Sequence, residues 1–567
     1  MNQSRRVAFI LVVLLLPGLF YTACGGNPTN QEVQTTKTIS SATPLISPTP
    51  PSPTLSSPPL LSPTPLPTAS PTPAPSVWLA PYLPARMVST IKLPAGINRS
   101  DKPEGATLQL KVGNQDPTCH WIYALVAPFP TITDTVSADN LQGAWRGESR
   151  GPFPGQPLLM DQSTYGVLSA WWGIPASQAV KVLPTDELLT YAWENRPAWA
   201  IVPFEALEPR WKVLEIDGQS PLRKEFNATN YVLTVPFSLN GVTKPASLVR
   251  SLSMMIPPTN REPAKMTVLV MTGVTALVRA TAAEMYLHGV LYPAQDIGPW
   301  LRNADITHIS NEIPFTPDCP LYTPNQTDLR FCTNPKYIAL LEDVGTKVVE
   351  LTGDHFGDQG PEAMLYTLDM YRQRGWLYYG GGANIEEARK PITLEDHGNK
   401  IAFIGCNAKG GGYATASETN PGATKCDFDY MHAQIRQLRD KGYLIIVTFQ
   451  HEEYYSYKVL PQFQPDFTGM AEAGAVIVSG SQAHQPQNFE FYTGALIHYG
   501  LGNLFFDQYN FAPETNDAFI DRHIFYEGRF ISTELLTIRF VDYARPRPMS
   551  PAEREKFLQV IFKASGW

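Results

Sequence analysis

From Met266 onward, the chain alternates short apolar segments with amphipathic ones at nearly regular spacing. The segments MTVLVM, ITHISNE, KVVELTG, YLIIVTFQH and AVIVSGS have the length and apolar character of buried strands, and helical stretches such as ALVRATAAEMYLHG and HAQIRQLRDKG lie between them. PITLEDHGNKIAFIG and FEFYTGALIHYGLGNLFF are typical of hairpins that turn at His397-Gly398-Asn399 and Thr493-Gly494. We therefore predict an α/β domain over residues 266–567, with helices covering the outer faces of its sheets.

Residues 85–255 are predicted to form a second, smaller α/β domain. Apolar segments such as WIYALVAPFP alternate there with helix-like stretches such as TDELLTYAWEN. The phrases APFPTITDTVSADNLQGAWRG and WAIVPFEALEPRWKVLEIDG resemble part of a type 2 periplasmic binding protein, which implies a domain that holds a ligand. The proline-rich segment PPTNREPAK, residues 257–265, is the expected boundary between the two domains.

The first 80 residues are expected to lie outside the folded domains. Residues 1–23 carry two arginines, an apolar stretch and small residues before Cys24, which is the form of a bacterial lipoprotein signal peptide, so we expect cleavage before Cys24 and lipidation of its thiol. An uncleaved anchor helix is the alternative, but the apolar stretch is short for a span of about 20 residues. Residues 24–80 are rich in Pro, Ser and Thr, which indicates a disordered stalk. The expected location is the extracytoplasmic face of the membrane, with a lipid anchor.

The charge of the chain excludes one class of partner. The formal net charge is −8, and no run of basic residues occurs. Because a nucleic-acid-binding surface needs clustered Lys and Arg, we expect no nucleic-acid partner. An acidic polymer is expected to bind only at a local basic patch.

The cysteines after Cys24 predict two disulfide bonds. Cys319 and Cys332 flank the loop PLYTPNQTDLRF, and Cys406 and Cys426 flank a glycine-rich loop. Pairing is favoured outside the cytoplasm. A zinc site is the weaker interpretation, because no CxxC spacing occurs.

Polar side chains gather where the predicted strands of the second domain end. Four of the five endings deliver a carboxylate or an imidazole; the five are Thr272-Gly273-Val274, Asn311-Glu312, Asp354-His355, His451-Glu452-Glu453 and Ser481 to His484. Parallel strands place such endings at one edge of a sheet. Convergent carboxylates and imidazoles are the ligand types that divalent metals prefer, so a metal site is one interpretation of this edge.

Residues 266–508 resemble the CapA-type poly-γ-glutamate capsule biosynthesis proteins, whose fold is like that of the calcineurin-type metallophosphoesterases. GVTALVR stands where the family has Gly-Asp and a later Arg, here Arg279, and ADITHISNE matches Ala-Asp and Asn-Leu-Glu. TGDHFGDQG matches Asn-Asn-His and Asp-x-Gly, HEEY stands for His-x-Gly-x-Glu-Tyr, and GSQAHQPQ matches Gly-His-His-Pro-His. The resemblance implies metal-dependent hydrolysis or transfer on an acidic polymer or phosphoester, together with other capsule synthesis proteins as partners.

The departures from the family pattern leave an incomplete ligand set. Val274 replaces an aspartate, Ser481 replaces a histidine, and Asp354 stands where the family has asparagine. By resemblance, the remaining metal ligands are Glu312, Asp354, His451 and His484, and His355 is the candidate general acid.

Three interpretations of this edge stay open: a two-metal site, a site for one Mn, Zn or Fe ion, and a metal-free pocket. At most one ion is favoured. In the metal-free pocket, Glu312 is expected to pair with Arg279, since a buried carboxylate needs a partner.

Two functions follow from these observations. The first is a CapA-type surface lipoprotein that acts in the synthesis, export or anchoring of a poly-γ-glutamate-like capsule or envelope polymer, with a partly degenerate metallophosphoesterase site. The second is a non-catalytic protein that binds an envelope ligand or polymer through its N-terminal domain. Whether the chain is an enzyme stays open; an active chain would be a metal-dependent hydrolase or transferase.

Overall fold

The computed structural model describes residues 74–567 except 154, 242–244, 324–325, 327 and 411–413. The expected signal peptide, the lipidation site Cys24 and most of the stalk lie outside the described residues. The first described strand begins at Ser76, inside the range 24–80 assigned to the stalk. No helix in the described part of the chain is long and apolar enough to cross a membrane. From Thr72 onward the chain makes one compact unit.

The N-terminal region is built around one mixed sheet. Its strands are β1 (Ser76–Leu79), β2 (Asn98–Ser100), β3 (Leu108–Val112), β4 (Cys119–Pro128), β5 (Thr135–Val136), β6 (Leu158–Met160), β7 (Val180–Val182), β8 (Trp199–Pro203), β9 (Trp211–Val213), β10 (Glu215–Ile216) and β11 (Thr234–Asn240). Its helices are α1 (Ala85–Thr90), α2 (Ala138–Trp145), α3 (Gln162–Trp172), α4 (Leu188–Glu194) and α5 (Ala246–Ser253). The sheet order is β2-β1-β3-β11-β4-β8-β6-β7, with β9 also paired to β4 and with β5 and β10 as a separate pair. The central strand β4 is buried along nearly its whole length, which accounts for its continuous apolar sequence.

Two further sheets make up the C-terminal region. The strands are β12 (Met266–Thr272), β13 (Val274–Thr275), β14 (Ile306–Asn311), β15 (Thr346–Glu350), β16 (Leu377–Tyr379), β17 (Gly381–Gly382), β18 (Ile392–Asp396), β19 (Asn399–Asn407), β20 (Gly422–Ala423), β21 (Leu444–Gln450), β22 (Ile477–Ser479), β23 (Phe489–Tyr492), β24 (Ala495–His498), β25 (Asn503–Phe505), β26 (Asp517–Tyr526), β27 (Arg529–Val541) and β28 (Arg545–Pro548). One sheet has the order β16-β15-β14-β12-β26-β27-β28, with β13 and β25 beside it, and the other has the order β18-β19-β21-β22-β24-β23.

Helices cover the outer faces of both C-terminal sheets. They are α6 (Arg279–His288), α7 (Gly298–Arg302), α8 (Ile338–Asp343), α9 (Gly360–Gln373), α10 (Ile385–Ala388), α11 (Phe428–Asp440), α12 (Gln464–Ala473) and α13 (Pro551–Ala564). Residues such as Met271 of the first sheet and Phe403 of the second share one core between the sheets. Val270 packs among residues of α6 to α9, whereas Val447 packs against α11 and α12. The predicted α/β class, with sheets between outer helices, is confirmed.

The two expected hairpins are present at the expected turns. His397 and Gly398 connect β18 to β19, and Thr493 and Gly494 connect β23 to β24, all four with positive φ. Two consecutive residues with positive φ match the right-handed twist of the flanking strands, which explains a glycine at the second position of each turn.

Both disulfide bonds expected from the sequence are present. The Cα atoms of Cys319 and Cys332 are 5.9 Å apart, and those of Cys406 and Cys426 are 4.9 Å apart. The remaining described cysteine, Cys119, is free and buried in the N-terminal core.

Candidate functional site

The carboxyl ends of the parallel strands bring most of the expected polar residues together. Strands β12, β14 and β15 are parallel in one sheet, and β19, β21 and β22 are parallel in the other. At their ends lie two groups of possible metal-ligating atoms, each with all atoms within 4.8 Å: Glu312, Glu453 and His484, and Glu312, Asp354 and His355. Glu312 belongs to both groups, so the site has one shared carboxylate at its centre.

Glu312 is the most unusual member of the site. Its side chain is 1% exposed, and neither carboxylate oxygen has a hydrogen-bond partner among the described residues. Burial raises its pKa, although the charges of His484 and His355 oppose this shift. A buried carboxylate without a partner is costly, so this environment fits a bound cation. Carboxylate and imidazole donors in the same groups also suit Mn, Zn or Fe.

The expected ion pair between Glu312 and Arg279 is not formed. Nη2 of Arg279 donates a hydrogen bond to the backbone carbonyl of Asp507. The guanidinium also lies over the rings of Phe331 and Phe506, at 5.4 and 4.8 Å from their centroids. Because these partners hold the Arg279 side chain, the nearest basic atom to Glu312 Oε1 is instead His484 Nε2, at 3.9 Å.

His355 is oriented by a carboxylate three residues further along the chain. Its Nδ1 lies 2.8 Å from Oδ2 of Asp358, which also accepts a hydrogen bond from the backbone N–H of Phe331. Burial lowers the pKa of His355, but the hydrogen bond with Asp358 and the charges of Glu312 and Asp354 outweigh it and raise the pKa to about 9. His355 is therefore protonated at neutral pH, as a general acid requires.

Asp354 is held by an amide and an ammonium group. Its backbone N–H donates to Oε1 of Gln450 at 2.6 Å, and Nε2 of Gln450 donates to Asp354 Oδ1 at 2.8 Å. Lys409 Nζ lies 2.7 Å from Asp354 Oδ2 and 2.7 Å from Glu453 Oε1. Burial raises the pKa of Asp354, but the hydrogen bond from Lys409 and the charge of His355 lower it below its ordinary value.

His451 lies outside both groups, contrary to the ligand set expected from the sequence. Its ring stacks on Phe463 and Phe467 at centroid distances of 4.6 and 5.6 Å, and its Nε2 lies 3.3 Å from Asp466. Successive side chains at a strand end point to opposite faces, so Gln450 faces Asp354 while His451 faces α12. The ligand position is occupied by Glu453, which the Glu-Tyr part of HEEY already indicated.

The two altered family positions are closed to a metal by their own contacts. Val274 is fully buried in an apolar cluster of Ala276, Val278, Ile313, Phe331 and Phe506. Ser481 donates a hydrogen bond to the buried carboxylate of Glu350. Gln482, next to Ser481, donates to Ser310 Oγ at 2.6 Å. These positions contribute packing and internal hydrogen bonds in place of ligands.

Little free space lies beside His484. A cavity of about 20 Å³ is lined by residues that include His451, Glu453, Tyr455 and His484. This volume accommodates about one water-sized group. A polymer must therefore approach from the surface of the site and cannot thread into this cavity.

Comparison with known proteins places this site in a family. Residues 268–508 match the family model described as bacterial capsule synthesis protein PGA_cap. The capsule biosynthesis protein CapA of Bacillus anthracis is 24% identical over 312 residues, which are 54% of this chain and 75% of that protein. The PGA biosynthesis protein CapA of Bacillus subtilis (strain 168) is 25% identical over 232 residues, or 41% of this chain and 60% of that protein.

One solved structure with a related arrangement is the 5'-nucleotidase precursor from Thermus thermophilus. It is 12% identical, with coverage of 53% of this chain and 58% of that chain, and a TM-score of 0.29. The resemblance expected from the motifs is confirmed by the family match over residues 268–508.

Proposed function

We propose that this chain, whose residues 268–508 form a domain of the CapA type, acts in the synthesis, export or anchoring of a bacterial capsule or envelope polymer. The names of its two relatives support a capsule role, and one of them supports a poly-γ-glutamate-like polymer. The observation that carries the site-dependent part of the proposal is Glu312, a buried carboxylate with no hydrogen-bond partner in the described structure, placed between two histidines.

The same site supports a proposal about chemistry. Glu312, Glu453 and His484 fit one divalent ion, which when bound supplies a Lewis acid for an anionic group. His355 can donate a proton from its Nε2, since its Nδ1 is engaged with Asp358. The cation and the protonated imidazole both favour a substrate with a carboxylate or phosphate group.

A second candidate function is binding without catalysis. It is favoured by the contacts of Val274 and Ser481, which leave the family ligand set incomplete. A groove of about 1050 Å³, lined by residues from both regions that include Trp193, Phe491, Lys563 and Trp567, has the aromatic and basic side chains to hold an acidic polymer. In this function the N-terminal region contributes to the binding surface.

The location of the chain is part of the proposal. The sequence of residues 1–80 supports a lipid anchor at Cys24 and a stalk on the extracytoplasmic face of the membrane. Other capsule synthesis proteins are the proposed protein partners, and nucleic acid is not a partner.

The test is deletion of the gene in its own bacterium, followed by measurement of polymer-derived glutamate at the cell surface. The deletion should lower the polymer content, and the wild-type gene should restore it. Glu312→Gln should fail to restore it, whereas the exposed control Glu555→Gln should succeed. Unchanged polymer after deletion would overturn the capsule role, and restoration by Glu312→Gln would overturn only the role of the site.

A further inference from the structure

The two ligand groups of the site share Glu312 but differ in one respect. Lys409 binds a carboxylate from each group, because its Nζ lies 2.7 Å from both Asp354 Oδ2 and Glu453 Oε1. An ammonium group that contacts two carboxylates takes the place that a metal ion bridging them would take. The sequence does not indicate this contact, since Lys409 lies in the loop NAKGGGY, where glycines predict only turns.

We propose that Lys409 is a built-in cation of the site, which fills one of two cation positions and so limits the site to a single divalent ion. The proposal rests on the cation site of the proposed function and adds which residue determines the number of ions. Asp354 and Glu453 are paired by Lys409, while Glu312 and His484 remain for the ion.

The backbone around Lys409 is fixed to the strand ends that form the site. Its N–H donates to the carbonyl of Gln450 at 3.2 Å, and the side chain of Asn407 donates to Gln450 Oε1 and to the Thr352 carbonyl, both at 2.8 Å. Asn407 Oδ1 also accepts from the N–H of Gly410 at 2.7 Å. The disulfide bond of Cys406 tethers the start of the same loop. Lys409 thus approaches the carboxylates from an anchored segment.

The contacts distinguish Lys409 from an ordinary surface lysine. Its side chain is 26% exposed, and those of Asp354 and Glu453 are 12% and 28% exposed, so the three charges are largely withdrawn from water. Exposed ion pairs contribute little, but one partner of a shielded pair is costly to remove. Without the ammonium group, Asp354 and Glu453 would face each other and the unbonded Glu312 as uncompensated carboxylates, which is a strong site for a second ion.

The test measures metal stoichiometry on the purified full-length chain. Wild-type protein, Lys409→Met and Lys409→Gln are equilibrated with Mn²⁺, dialysed and analysed for bound manganese, and the Mn²⁺ electron paramagnetic resonance spectrum is recorded. Both variants should bind one more ion per chain than the wild type. Where two ions are bound, the spectrum should show spin coupling. The Gln variant keeps the proposal testable if the Met variant does not fold.

Two controls separate charge from non-specific effects. Lys409→Arg keeps a cation and should leave the stoichiometry unchanged, and so should Lys441→Met, an exposed lysine at the end of α11. Equal ion counts in wild type and both neutral variants would overturn the role of Lys409. A count of zero in the wild type and one in the variants would support Lys409 but contradict the ion in the proposed function.

Discussion

Nε2 of Gln450, and not the ring of the following His451, faces Asp354, to whose Oδ1 it donates a hydrogen bond at 2.8 Å. The backbone N–H of Asp354 returns a hydrogen bond to Gln450 Oε1 at 2.6 Å. The end of β21 therefore contributes an amide to the candidate site and an imidazole to the packing of α12. This arrangement makes the two histidines that the sequence treats alike, His451 and His484, experimentally distinguishable.

We expect His484→Gln to weaken Mn²⁺ binding at least about ten-fold, because it removes a ligand from the group with Glu312 and Glu453. His451→Gln should change the affinity by less than about two-fold, since its ring packs on Phe463 and Phe467. Titration calorimetry of both variants measures the difference. A larger loss in His451→Gln than in His484→Gln would contradict the geometry of the site.

Glu312→Gln should have opposite effects on stability with and without metal. Burial raises the pKa of Glu312, so its ionised form at pH 7 lowers the stability of the metal-free fold, a cost that disappears as pH falls below the pKa of an unfolded glutamate. In the presence of a chelator, the variant should therefore be more stable than the wild type by about 1 kcal/mol or more. With Mn²⁺, the order should reverse, because only the wild type gains binding energy.

Urea unfolding in chelator and in Mn²⁺ measures this reversal. Glu555→Gln, on the exposed side of α13, is the control that should show no difference between the two conditions. Loss of stability in Glu312→Gln under chelator would show that the carboxylate has a partner in the metal-free protein.

His523 predicts a loss of stability in acid. It lies in β26, with Nδ1 2.8 Å from Thr533 Oγ1 and with Nε2 unpartnered among the described residues. Burial lowers its pKa to about 4, although the charge of Asp521 opposes this. Because the folded pKa lies below the unfolded value of 6.5, the contribution is complete above about pH 6.5 and is lost as pH falls toward 4.

We expect the wild type to lose about 2 kcal/mol more stability than His523→Leu between pH 7.5 and pH 5. Denaturant unfolding at the two pH values gives the four free energies that are needed. His288→Leu, which replaces a half-exposed histidine, should follow the wild type. Equal losses in wild type and His523→Leu would show that His523 is protonated in the fold.

The disulfide bond between Cys406 and Cys426 should contribute substantially to stability. It closes a loop with a sequence separation of 20, and such a loop corresponds to about 3 kcal/mol of chain entropy removed from the unfolded state. The Cys406→Ala, Cys426→Ala double variant should therefore unfold at a lower denaturant concentration than the oxidised wild type. A loss below about 1 kcal/mol would mean that the unfolded chain retains this loop.

Local patterns in the sequence determined the elements and much of the site. The apolar runs of β12, β14 and β21, the turns at Gly398 and Gly494, and the disulfide pairs depend on spacings of a few residues or on residue type, so they are visible without a structure. The same applies to Glu312, Asp354, His355 and His484, because each directly follows a predicted strand or its turn.

Only the tertiary structure decided which side chains face one another. A shift of one residue at a strand end reverses the direction of a side chain, which is why Gln450 and not His451 enters the site. Lys409 reaches Asp354 and Glu453 from a loop 55 and 44 residues away in the sequence, and Arg279 turns to the Asp507 carbonyl. Such long-range partners are selected by the packing of the whole fold, and no local spacing encodes them.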